Sequence, residues 1–296
     1  MSGNGIKTIA LAGVGSIGAF IAEELLTAKA AGALDGVIIL TRAGGSNDAV
    51  GQYAAKGARV EHVDYADESA LANALRGAAA VVSTLGAAAI VNEQLALARA
   101  AKTAGVQLFV PSDFGNNNEG QTRGLLGVKA TLYAKIEELE LAWATFYTGL
   151  FADFGFVPCV GGRPLLLGFD FENGVVTVGG DGSVPVSFTS RRDIARFVVH
   201  ALTTFPLEQL RNKFLRIEAS RKNFNEIVSI YEQKHGKKLE VRYTPAEELR
   251  ARLEKNPLDF FALLHHEWIE GRGAVGSPVD NGKWPEWKPT PVDEFL

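Results

Sequence analysis

Cysteine is almost absent from this 296-residue sequence. Cys159 stands alone, so no internal disulfide can form, and a reducing, cytoplasmic compartment is the natural setting. The five histidines and that cysteine form no spaced ligand cluster, so no metal site is expected. Neither sign of charge dominates: 30 Lys and Arg stand against 34 Asp and Glu, for a net charge of -4. That balance argues against a basic face for nucleic acid and against an acidic solubilising tail. Long apolar runs are missing too. The most membrane-like window, Trp143 to Val160, is broken by Asp153, Pro158 and two glycines, and reads as a buried strand followed by a loop. The first apolar stretch, Ile6 to Leu11, runs straight into a glycine-rich turn without a cleavage-like site, so no secretory leader is expected. No internal repeat, low-complexity tract or long linker interrupts the chain. The expectation is a soluble protein without a membrane or nucleic-acid partner.

What is present is a 47% hydrophobic chain, enough for one large α/β unit or one domain with a smaller lobe. The first 150 residues alternate short apolar runs with longer helical patterns, the signature of βαβ units and a parallel sheet. Strands are predicted at Thr8–Ala12, Val37–Thr41, Val60–Val63, Ala80–Thr84, Gln107–Pro111 and Ala142–Tyr147, with helices starting near Ser16, Ala49, Ser69, Asn92 and Leu125. Their β-branched content fits a sheet buried on both faces. After Gly149 the rhythm changes. Phe151 to Gly168, then Gly174 to Gly180, read as loops and short β pieces; helices are predicted at Arg191–Thr203, Asn223–His235, Pro245–Glu254 and Leu258–Glu270, and a strand at Phe214–Glu218. The prolines around Trp284 and Trp287 exclude regular helix there. The fold class expected is a doubly wound Rossmann sheet over residues 1–152, with 188–220 returning to it and 153–296 forming a smaller C-terminal substrate lobe.

The strongest local motif is Gly13-Val14-Gly15-Ser16-Ile17-Gly18, directly after the first strand and directly before an amphipathic stretch. A bare GxGxxG is weak; this context makes it a dinucleotide fingerprint. Gly13 permits the tight turn, Gly15 lets the backbone approach a pyrophosphate, and Gly18 allows close helix–sheet packing, with the helix N–H groups facing the phosphates. At the end of the second strand, where NAD-preferring sites carry a carboxylate, this sequence has Thr41-Arg42 followed by Ala43-Gly44-Gly45-Ser46-Asn47. An arginine there pairs with a 2′-phosphate, and no acidic neighbour in the sequence opposes it; the competing reading is a solvated loop arginine. NADPH is therefore favoured over NADH. Ser83-Thr84-Leu85-Gly86 and Pro111-Ser112-Asp113-Phe114-Gly115 end the fourth and fifth strands, at the edge where ligands of such sheets bind, although either can be a plain turn.

Val110 to Gly115, Gly127-Val128-Lys129 and the run from Trp143 to Ala152 resemble the isoflavone reductase-like group of the NmrA-like atypical short-chain dehydrogenases. That group includes phenylcoumaran benzylic ether reductases and pinoresinol–lariciresinol reductases. The likeness continues through Asp193-Ile194-Ala195, Asn212-Lys213, Asn225 to Val228 with Tyr231-Glu232, and ends with Thr290 to Leu296. It covers nearly the whole chain in order. The resemblance implies that Lys129 is the catalytic lysine, accepting or relaying a phenol proton as a quinone methide-like species forms, or protonating a reduced product, while NADPH delivers hydride to a benzylic or conjugated carbon. Read without the resemblance, Lys129 is an ordinary solvated helix lysine. At the sheet edge it is expected to be partly desolvated, with a lowered pKa. The dinucleotide contacts expected are Gly13, Val14, Gly15, Ser16, Ile17, Gly18, Arg42, Thr84, Leu85, Gly86, Ser112, Asp113, Phe114, Lys129 and Phe151.

The sequence also departs from the group. Tyr133 stands where an arginine commonly follows the lysine by four residues, the first turn is GVGSIG rather than a GxTGxxG type, and no second basic residue follows Arg42. The later half supplies Phe151, Phe154, Phe156, Phe169, Phe171, Phe260, Phe261 and Trp268, either as a cover for a planar aromatic substrate or, for most of them, as plain core. His265 and His266 point about 100° apart on a helix, so a surface or core role is expected rather than a shared ligand. Two functions follow: an NADPH-dependent reductase of a phenylpropanoid- or lignan-like molecule, or an NmrA-type redox sensor that binds dinucleotide without turnover. Lys129 favours the first, because a sensor has no chemical need for it. A sugar-nucleotide epimerase is disfavoured, since Tyr133 follows Lys129 rather than preceding it as Tyr-x-x-x-Lys requires. A homodimer is left open.

Overall fold

Runs such as Ile9 to Ala12 and Val37 to Leu40 carry no polar side chain, so a strand built from them must be covered on both faces. The computed structural model describes residues 5–42, 44, 49–86, 89, 92–121, 124–156, 167–257 and 259–296. The expected loop residues Ala43 and Gly45 to Asn47, together with Pro158, Cys159 and Leu258, lie outside them.

Contacts divide the chain into two compact units, one of Met1–Asp113, Asn118–Phe146 and Ala195–Leu215, the other of Phe114–Asn117, Tyr147–Ile194 and Arg216–Leu296. The boundary therefore falls earlier than residue 152, and the segment returning to the first unit is shorter than 188–220. The reason is local pairing: Gly115 bridges Tyr147, and its carbonyl accepts from the amides of Thr148 at 2.9 Å and Gly149 at 3.1 Å, which ties both segments into the second unit.

In the first unit, β1 (Thr8–Ala12), β2 (Gly36–Arg42), β3 (Arg59–Val63), β4 (Ala80–Ser83) and β5 (Leu108–Val110) form one parallel sheet in the order β3-β2-β1-β4-β5. β4 and β5 are buried at every residue and β1 and β2 nearly so, whereas edge strand β3 is mostly part-exposed. The crossovers are α1 (Gly18–Ala30), α2 (Ala49–Ala55), α3 (Glu68–Ala74), α4 (Asn92–Thr103) and α5 (Gly124–Glu138). Strand β6 (Ala144–Tyr147) pairs with β11 (Lys213–Arg216) as a two-stranded sheet. The returning strand thus joins β6 rather than the five-stranded sheet, while Trp143 keeps a parallel bridge to Phe109 of β5. Leu97, Phe109, Ile136 and Trp143 pack in one core beneath the sheet.

The second unit is built from shorter pieces. β7 (Leu150–Phe151), β10 (Val186–Thr189) and β12 (Ser220–Lys222) make one sheet, and β8 (Phe169–Asp170), β9 (Val175–Gly179) and β13 (Glu240–Thr244) another. Phe156, Phe169, Phe188, Phe224 and Trp268 fill its core, with Phe171 packed against it, so four of the eight later aromatics, Phe156, Phe169, Phe171 and Trp268, are structural. Phe154 and Phe260 are exposed. His265 is buried in this core and its Nδ1 accepts the Gly179 amide at 2.9 Å; His266 is half-buried. Helix α6 (Arg191–Thr204) starts at Ser190, whose hydroxyl accepts the Asp193 amide at 3.1 Å and donates to Asp193 Oδ2 at 2.7 Å. The same Oδ2 accepts the Thr290 amide at 2.9 Å, which fastens the C-terminal segment.

Two stability outcomes follow. A Cβ on Gly18 would lie 2.3 Å from the Gly13 carbonyl oxygen and 2.5 Å from Thr84 Oγ1. Gly18→Ala is therefore expected to cost about 2–3 kcal/mol through overpacking, read by urea denaturation; a neutral effect would mean that α1 shifts freely. Asp193→Ala strands a buried hydroxyl and the Thr290 amide, and is expected to lower unfolding free energy by about 2–3 kcal/mol. Unchanged denaturation would mean that this clasp contributes nothing.

Candidate active site

The order β3-β2-β1-β4-β5 reverses direction at β1, so the crevice where ligands of doubly wound sheets bind opens at the carboxyl end of β1. The glycine turn stands there. Gly13 has φ of +90°, a conformation that side chains resist, and its amide donates to the Leu40 carbonyl at 3.1 Å. On the other side the Thr84 amide donates to the Ala12 carbonyl at 2.9 Å, and the Thr84 hydroxyl donates to the Gly13 carbonyl at 2.7 Å. The turn is thus pinned between the ends of β2 and β4. Ser112 extends the stitching to the end of β5: its hydroxyl donates to the Leu85 carbonyl at 2.8 Å, and its amide to Gln94 Oε1 at 2.6 Å. Gln94 was not singled out from the sequence; sitting in a helix, it gave no local signal of that reach.

A nicotinamide dinucleotide fits this turn. A Cβ on Gly15 would meet nothing within 4 Å, so the turn leaves open space in front of this residue. Helix α1 begins without an acidic residue in its first turn and without a side-chain cap, leaving its positive end for an anion. Gly86 is exposed beside it, also with open space in front.

Lys129 lies on α5 and its side chain is only 15% exposed. It does not stand alone as a desolvated amine: Nζ donates to Asp113 Oδ1 at 2.9 Å, a carboxylate 3% exposed that follows β5. Asp113 Oδ2 accepts from the Tyr133 hydroxyl and from the Asn118 side-chain amide. A buried carboxylate without partners is costly, and these three donors compensate it. Tyr133, one turn beyond Lys129 on the same helix face, packs against Trp143 at 4.8 Å and Phe214 at 5.3 Å between ring centroids. Where the resemblance leads one to expect arginine, the chain has a hydroxyl aimed at the lysine's counter-ion.

Arg42 ends β2 at the same edge, and here one expectation is corrected. No carboxylate neighbours it in sequence, but Glu93 of α4 reaches it from 51 residues away, with both oxygens on Nη2 at 3.1 and 3.3 Å. Gly13 to Gly18, Arg42, Thr84 to Gly86, Ser112, Asp113 and Lys129 all belong to the first unit, at one sheet edge or the turns beyond it. Phe114 and Phe151 belong to the second, where Phe114 is buried and Phe151 pairs in β7 with Thr189 of β10. Among the described residues no cluster is placed to hold a metal ion, and no helix is long and apolar enough to cross a membrane.

A phenylcoumaran benzylic ether reductase from Ginkgo biloba is 27% identical, over 96% of each chain. An isoflavone reductase homolog from Zea mays is 30% identical, over 79% of this chain and 78% of its own. Among solved structures, the leucoanthocyanidin reductase–NADPH complex from Vitis vinifera matches with a TM-score of 0.80 at 23% identity over 97% of both chains, a likeness of fold. A profile of the NmrA-like family matches residues 6–296. With the match running from Ile6 to the last residue, across both units and through the turn at the sheet's switch point, the chain belongs to the NmrA-like family.

Proposed function

We propose that this protein is an NADPH-dependent reductase of a small aromatic molecule of the phenylpropanoid or lignan type, acting at a benzylic ether or conjugated double bond in a reducing, cytoplasmic setting. The observation that carries the reading is that an open-fronted dinucleotide turn and a lysine with a buried counter-ion stand at the same edge of one sheet. The named relatives are reductases, which supports the reaction class.

Gly13 to Gly18 hold the pyrophosphate, Arg42 the 2′-phosphate, and Thr84, Leu85, Gly86, Ser112, Asp113 and Lys129 the remainder. NADPH, when bound, supplies the hydride. Lys129 holds or moves a proton at Nζ, opposite a phenolic or developing anionic oxygen of the substrate. Asp113 fixes that Nζ, and Tyr133 with Asn118 fixes Asp113, so the ammonium enters the reaction already oriented. The sensor reading leaves Lys129 without a chemical task, its pairing with Asp113 then serving only to compensate a buried carboxylate.

Calorimetry with NADPH, followed by NADPH oxidation across a panel of phenolic ethers, lignans and enones, tests the proposal. Gly15→Val should abolish dinucleotide binding while leaving the melting temperature unchanged, since its side chain has open space; retained binding would move the cofactor elsewhere. Lys129→Met should bind NADPH within a few-fold of wild type yet lose turnover by about a hundredfold or more. Wild type that binds NADPH and oxidises none of the panel would return the weight to a sensor.

A further inference from the structure

Glu93 sits in the first turn of α4 and shares Arg42 with whatever occupies the sheet edge. The pair borders a cavity of about 330 Å³ whose walls include Arg42, Asp64, Tyr65, Glu68, Glu93 and Arg99. Three carboxylates there face two guanidiniums. Arg99 is held by Glu68 at 2.6 Å and Arg42 by Glu93 at 3.1 Å, which leaves one negative charge in surplus. Burial first, and then the charge of Glu93, push the Tyr65 hydroxyl well above the usual tyrosine range, and Arg42 offsets this least. The chemistry favoured by the wall is thus less welcoming to a phosphate than Arg42 alone suggests.

We propose that Glu93 is a specificity-determining residue: by holding the Arg42 guanidinium it weakens the attraction for a 2′-phosphate and narrows the preference for NADPH over NADH. This rests on the reading that the chain binds a nicotinamide dinucleotide at the β1–α1 turn. A carboxylate already on Nη2 must share the arginine with the incoming dianion, and like charges a few ångströms apart repel. The form with a free 2′-hydroxyl feels no such repulsion, so the residue acts on the ratio of affinities rather than on binding as a whole.

Calorimetric titration of NADPH and NADH into wild type, Glu93→Gln and Glu93→Lys tests this. Glu93→Gln should tighten NADPH about fivefold or more while moving NADH less than twofold, and Glu93→Lys should extend the trend, with the gap shrinking in added salt. Glu93 also complements the dipole of α4, so a purely structural loss would weaken both nucleotides together and leave the ratio alone. Wild type that binds NADPH, with variants whose NADPH-to-NADH ratio is unchanged or lower, overturns this proposal alone. Wild type that binds neither nucleotide overturns both it and the reading beneath it.

Discussion

Everything at the sheet edge depends on the placement of β1 between β2 and β4. A parallel sheet whose strand order reverses there has no crossover helix covering the gap, so the chain leaving β1 must turn in a cleft with backbone on both sides. The Gly13 amide takes the carbonyl of Leu40 from one side, and the Thr84 hydroxyl takes the Gly13 carbonyl from the other. With both groups satisfied, the turn has little freedom, and α1 must start against it. Gly18 is the consequence: no side chain fits between the helix and Thr84. Gly15 is different in kind, because the protein leaves its front empty.

The second organising element is the Asp113 carboxylate. Buried and charged, it needs several donors, and it obtains them from α5 and from the Asn118 turn. Lys129 and Tyr133, four residues apart, both reach it from one helix face. A tyrosine there preserves the donor that an arginine would supply while removing a positive charge, and its ring is accommodated by Trp143 and Phe214. The departure from the group's usual residue at position 133 is therefore compatible with a fixed lysine.

Four strands of the five-stranded sheet were legible because each holds a short apolar run bounded by turns, and burial on both faces writes itself into contiguous residues; edge strand β3, Arg59-Val60-Glu61-His62-Val63, is mostly part-exposed and lacks that run. Lys129 and Tyr133 were legible as a same-face pair through helical spacing. Their convergence on Asp113 was not, because it requires knowing that α5 folds back over the end of β5. Glu93 was invisible for the same reason: 51 residues separate it from Arg42, and nothing in a helix-start glutamate announces its partner. In the second unit β7, β8, β10 and β12 are two to four residues long. Strands so short owe their existence to neighbours distant in sequence, and period-two alternation cannot reveal them. Position 265 shows a gain of another sort, since a histidine pointing away from its neighbour proves to be a core residue that caps the Gly179 amide.

The two cations of the edge are paired in environments that differ in consequence. Arg42 is 66% exposed, and an ion pair in such a place contributes about 0–1 kcal/mol, so the pair does little for the fold, and Glu93 bears on a ligand through the charge it keeps beside the guanidinium. The Lys129–Asp113 pair is 15% and 3% exposed, and separating such partners leaves an uncompensated buried charge, at a cost of about 3–5 kcal/mol. A ligand arriving at this edge therefore meets one cation that can be drawn away from its partner and one that cannot. The movable one suits recognition, where an adenosine-end phosphate must be gripped and released; the fixed one suits chemistry, where the proton-bearing atom has to be in place before the substrate arrives. The difference in burial is what fits the two residues to the separate tasks proposed for them.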